Sequence, residues 1–146
     1  MNEAQLKELL LQSLEHERGG VKLYEAALKC AQRDDLRKEW GEYLEQTRSH
    51  VTALEKACRK LAIDSEAQTP GRRIVRDLGA AMVSAIEQAR ASAEPAAAQI
   101  VACECIVLAE TKDHQDWQLI GKCALAAAGA QAPALNDAFL ARGGQE

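Results

Sequence analysis

The chain has 146 residues, a formal net charge of −4 and a pI near 5.5, a length that suits a single domain with its own core. Its hydrophobic fraction is 47% but its aromatic fraction only 3%, and alanine and leucine dominate, which favours close-packed helices and argues against sheet. Scattered charges of net negative sign exclude a general nucleic-acid or anionic-membrane partner, and the chain opens without a signal-peptide profile and holds no apolar run of membrane-spanning length, so a soluble, cytoplasmic protein is expected.

The first helix is expected to start after Asn2 as N-cap and to run to about Ala31. Leu6, Leu10, Leu14, Glu17, Val21, Tyr24 and Leu28 recur in steps of three and four, which puts Glu17 on the apolar line, with His16 flanking it. Glu15, Arg18, Lys22, Glu25 and Lys29 repeat on the opposite side as a solvated face. Gly19-Gly20 costs on the order of 1 kcal/mol per glycine relative to alanine in mid-helix, which implies close packing or a hinge there.

A tight turn over residues 32–35, with Asp34 or Asp35 as cap, leads into a second helix. Its inward line is Leu36, Trp40, Tyr43, Thr47, His50, Leu54, Ala57 and Leu61. A short turn makes the pair an antiparallel hairpin, and counting outward from it sets Glu17 level with His50. Residues 63–70 form the longest connection, ending in Thr69-Pro70, a cap followed by proline at the first helical position. The third helix, about 71–92, turns Val75, Leu78, Met82, Ile86 and Ala89 inward and carries no carboxylate on that line. Arg72, Arg73 and Arg76 sit in its first turns, where the helix dipole disfavours positive charge, so acidic partners are expected; counting back from the next turn sets Arg76 level with Glu110.

The fourth helix, from Pro95 to about residue 128, holds Ile100, Val101, Ile106, Val107 and Leu108 all round its wheel, the pattern of a helix covered on several sides. Glu104 lies inside this run, and Glu110 and His114 follow one turn apart. Pro133 opens a short fifth segment that ends in Gly143-Gly144-Gln145-Glu146, read as a lid on the bundle or a helix cut short. Five cysteines, with Cys103 and Cys105 on different sides of a helix, read as reduced, buried thiols. The expected organisation is one domain over 1–146: a hairpin over 3–62, a crossover over 63–70, a second hairpin over 71–129 and a fifth helix over 133–142.

Setting Leu44-Glu45-Gln46-Thr47-Arg48-Ser49-His50 over Leu108-Ala109-Glu110-Thr111-Lys112-Asp113-His114 matches leucine, threonine and histidine and aligns Arg48 with Lys112. The hairpins thus look like copies, and their Thr-x-x-His positions are expected to converge. From about Leu6 to Gly121 the chain resembles the ferritin-like superfamily, rubrerythrin-type bundles most of all. That resemblance implies an all-α, ferritin-like four-helix bundle of two antiparallel hairpins plus a short C-terminal helix. Glu17 with Tyr24 stands at the family's first-helix spacing. The family's Glu-x-x-His pairs for di-iron are replaced here by Thr47-x-x-His50 and Thr111-x-x-His114, and the third helix has no inward glutamate. Carried over residue by residue, the site keeps Glu17, His50 and His114, and Glu110 substitutes for a missing acid by i, i+4 spacing.

Three functional readings stand side by side. One is a metalloprotein binding iron or manganese through Glu17, His50, Glu110 and His114, with oxidase, peroxidase or oxygen-scavenging chemistry implied by the resemblance. Another is a metal-free bundle with a structural or protein-binding role, in which Glu110 pairs with Arg76. The last is a small-molecule binder using a cavity near Gly19-Gly20 and Glu104. Apolar residues round the fourth helix further predict a homodimer or larger assembly.

Overall fold

The computed structural model of the protein describes residues 1–129 and 131–143, and residues 144–146 of the glycine-rich tail lie outside that description. Five helices make up the fold, α1 (Glu3–Leu28), α2 (Asp34–Lys60), α3 (Pro70–Ser92), α4 (Pro95–Ala126) and α5 (Gln131–Gly143), with no strand among the described residues. None of the helices is long and apolar enough to cross a membrane.

Local chemistry sets most of the helix ends. Asn2 caps α1 in a reciprocal capping box with Gln5, and Thr69 caps α3 by accepting from the Arg72 amide ahead of Pro70. The start of α2 differs from expectation. Arg33 occupies the N-cap without a side-chain cap bond, and Asp34 and Asp35 fall in the first turn, where their charge complements the helix dipole. α1 also stops earlier than expected, because the amides of Cys30 and Ala31 tighten onto the carbonyls of Ala27 and Leu28 as the chain turns.

α1 packs against α2, α3 and α4, while α3 packs on α4 and α5 bridges α2 and α4. α1 and α2 run antiparallel, with Tyr24 edge-on to Tyr43 near the turn and Glu17 meeting His50 farther from it. α1 and α3 run the same way, tied from Glu8–Thr69 to Glu15–Arg72. Two features of that contact correct the sequence reading. Glu15 is half-buried between α1 and α3 and binds both Arg72 (2.6 Å) and Arg76 (2.8 Å), so Arg76 is engaged there and not with Glu110. Arg72 is buried, and its remaining donors reach the carbonyls of Ser65 and Ala67, which fastens the crossover to the bundle.

Of the adjacent glycines in α1, Gly20 is the one that meets a neighbouring helix: a Cβ there would stand 3.1 Å from Thr47 Cγ2, whereas a Cβ on Gly19 would meet nothing within 4 Å. Buried apolar residues fall into two groups. One gathers near the α1–α2 turn around Leu23, Trp40, Leu44, Ile86 and Ala102. The other lies toward the opposite end around Leu10, Leu14, Leu54, Trp117 and Ile120. Glu17 on α1, Thr47 and His50 on α2, and Glu110 and Asp113 on α4 all fall between these groups in sequence, so a polar layer separates two apolar ones. Glu104, by contrast, is exposed; the helix wheel has an outward side at its position even though its sequence neighbours are apolar. All five cysteines are free, with Cys30, Cys58 and Cys105 buried and Cys103 and Cys123 half-buried.

Candidate metal centre

The polar layer is built around Glu17. Its position on the Leu6–Leu10–Leu14 line turns it inward, and its side chain is almost fully buried. His50 Nδ1 lies 3.2 Å from Glu17 Oε1, and the Trp117 indole N–H donates to the same oxygen at 2.8 Å. His50 also rests edge-on to Trp117, ring centroids 5.3 Å apart, so the indole holds both the carboxylate and the imidazole in place. Asp113 completes the group: one ligand atom from each of Glu17, His50 and Asp113 lies within 4.8 Å of the other two.

Burial pushes Glu17 up to about 7, against the opposing effect of its hydrogen bonds from Asp113 and Trp117. Asp113 is likewise pushed up to about 7, by burial first and by the neighbouring Glu17 charge second. Two carboxylates in hydrogen-bonding reach cannot both ionise cheaply in a dry site, and they share a proton. Asp113 Oδ1 is buried with no hydrogen-bond partner among the described residues, an oxygen open to a proton or a cation.

The four residues expected from sequence divide. Glu17 and His50 come together. Glu110 borders the same cleft, but its carboxylate accepts the Tyr24 hydroxyl. His114 does not join them; it is exposed and accepts at Nε2 from the Gln118 amide, 2.9 Å away. One residue along a helix is a turn of about 100°, so if Asp113 faces α1 and α2, His114 faces outward. Thr47-x-x-His50 therefore meets Glu110-x-x-Asp113, one residue earlier than the apparent repeat. Thr47 itself is no ligand, since its hydroxyl donates to the Tyr43 carbonyl at 2.8 Å. His16 is also set apart, donating from Nε2 to the Ala109 carbonyl at 2.9 Å, and burial beside Lys112 favours its neutral form.

Sequence reasoning missed Asp113 and Trp117, although the signal was present. Ile106, Glu110, Asp113, Trp117, Ile120 and Ala124 step by four and three along α4, a continuous line on which Asp113 is the natural inward acid. Matching threonine and histidine identities between hairpins overrode that line.

A small polar cleft of about 70 Å³, lined by Tyr43, Gln46, Thr47, His50, Glu110, Asp113 and Arg142, leads from the group toward the surface. It has room for an ion with water, not for a sizeable substrate. A larger groove of about 880 Å³ runs beside Gly19 between α2 and α3, floored by small and apolar residues and edged by Arg18, Arg48 and Arg76, each already ion-paired. Glu104 is not part of it.

Two carboxylates and one imidazole are the donors that iron, manganese and similar divalent ions accept. The set fits one ion. Among the described residues no further donor joins these three for the two-metal centre that the family resemblance implies: Glu110 borders the cleft on Tyr24, His114 is bonded to Gln118 and His16 to the Ala109 carbonyl. Comparison with family profiles, curated proteins and solved structures found no match.

Proposed function

We propose that the protein is a ferritin-like helical bundle that binds a single divalent transition-metal ion, iron(II) or manganese(II), through Glu17, His50 and Asp113. The observation that carries this reading is the convergence of one ligand atom from each of Glu17, His50 and Asp113, on three different helices, within 4.8 Å of one another, with Glu17 and His50 buried and Asp113 half-buried. A bound iron or manganese ion supplies one-electron redox capacity. The chain's own residues would do the rest: Trp117 holds Glu17 in its rotamer, the Glu17–Asp113 pair releases its shared proton as the cation enters, and Tyr24 keeps Glu110 at the mouth of the cleft. The apolar groups on either side limit solvent access to the narrow opening.

A metal-free bundle is the competing reading, and the observation in its favour is that the shared proton and the Trp117 donor already satisfy Glu17. Calorimetric titration of chelator-treated, tag-free protein with manganese(II) separates the two. The metal reading expects one ion per chain, with binding lost in Asp113→Ala and kept in His114→Ala. Absence of heat and of any melting shift with manganese(II), iron(II) or zinc(II) would leave the metal-free bundle standing.

A further inference from the structure

The outer faces of the two hairpins are unlike. Among the described residues α1 and α2 expose no large apolar side chain, whereas α3 and α4 expose several among their charged ones: Ile74 and Leu78 on α3 are 59% and 58% exposed, and Leu108 on α4 is 54% exposed. Ile74, Leu78, Ala81 and Ala85 form an exposed stripe at helical spacing, and between it and Leu108 runs a groove of about 510 Å³ with almost purely apolar walls. Ile100 and Val107 extend the apolar surface on the neighbouring flank of α4, 65% and 59% exposed. An apolar face of this kind on an otherwise charged molecule is covered in the working assembly.

The few charges on the face say by what. Glu104 and Lys112 lie four residues before and four residues after Leu108, on the same side of α4. Glu104 is exposed and makes no hydrogen bond or ion pair among the described residues. Lys112 holds Asp116 at 2.5 Å with one of its three donors. In a two-fold contact, a residue that touches another is touched in return by its own equivalent. Two antiparallel α4 helices crossing at Leu108 set position 104 of each against position 112 of the other, about 6 Å from the axis on either side at 1.5 Å per residue. The acid and the base then pair twice, and Leu108 of each copy enters the apolar groove of its mate.

We propose that this face binds a second copy of the chain, with a two-fold axis at Leu108 and reciprocal Glu104–Lys112 pairs. The surface is self-complementary in charge, which a partner of another kind would not require, and the candidate metal residues face the opposite side of α4, so the contact stands apart from metal binding.

Sedimentation equilibrium of the full chain, with circular dichroism confirming the helical fold of each variant, tests it. The wild type is expected to be a dimer and Leu108→Glu a monomer. Glu104→Lys sets lysine against lysine at both contacts, and Lys112→Glu sets glutamate against glutamate, so each alone should weaken dimerisation by about tenfold or more. Mixed one to one, the two variants regain opposite charges at both contacts and should form a heterodimer close to wild-type affinity. A wild type that stays monomeric at high micromolar concentration would overturn the proposal. So would a dimer indifferent to Leu108→Glu, or a mixture that binds no better than its components.

Discussion

At the residue scale, Glu17 and Asp113 tie stability to pH. Both titrate in the folded chain near 7, well above the ordinary carboxyl range of about 4 for an unfolded one. Between those values the native state holds more protons than the unfolded state, so stability falls as pH rises through that window and is fully present only below it. Chelator-treated protein should therefore lose stability from about pH 4 to about pH 7, by up to about 1.4 kcal/mol per pH unit for each proton released. Glu17→Gln, which keeps an acceptor for Trp117 but removes the charge, should flatten the profile in denaturant titrations at several pH values; an unchanged slope would show that the pair does not share a proton. Metal affinity should move the other way and strengthen with rising pH over the same window, because the cation displaces that proton.

Among the helices, the adjacent glycines and a buried arginine make opposite claims. Gly19 lies in open space, so Gly19→Ala should gain about 0.5–1 kcal/mol from helix propensity alone. Gly20 faces Thr47, whose side chain is held by its bond to Tyr43, and Gly20→Leu should cost about 1–3 kcal/mol by overpacking. Chemical denaturation of both variants checks the contrast, and equal effects would mean that the helices do not meet closely at Gly20. Arg72→Met should cost about 3 kcal/mol, since it strips a buried guanidinium from Glu15 and from the crossover carbonyls while leaving those acceptors in place. The loss should shrink when Glu15→Gln is already present. Additive losses would deny the Arg72–Glu15 coupling.

The whole molecule shows what could be read from residues and what could not. Helix positions were legible because Asn2, Thr69 and Pro70 are local signals, and the Leu6–Leu10–Leu14–Glu17 line is a one-helix property. Glu17 and His50 were legible together because a short turn fixes the level of two helices. Rotation of α4 about its own axis was legible only in its second half, where Glu110, Asp113, Trp117 and Ile120 make one line; the first half is apolar nearly all round and declares no stripe, and matching histidines between the hairpins put His114 where Asp113 stands. The same ambiguity placed Glu104 inside, although α4 does pack against three neighbours, α1, α3 and α5. Apolar content is not burial when part of an apolar face looks outward.

Manganese(II) binding to tag-free, chelator-treated protein, followed by calorimetry and by the electron paramagnetic resonance of the bound ion, tests the account most directly. The account predicts one ion per chain for the wild type and for His114→Ala, and affinity weakened by about a hundredfold or more in Glu17→Ala, His50→Ala and Asp113→Ala. Retained binding in Asp113→Ala together with loss in His114→Ala would contradict it, as it would place the metal on the other side of α4.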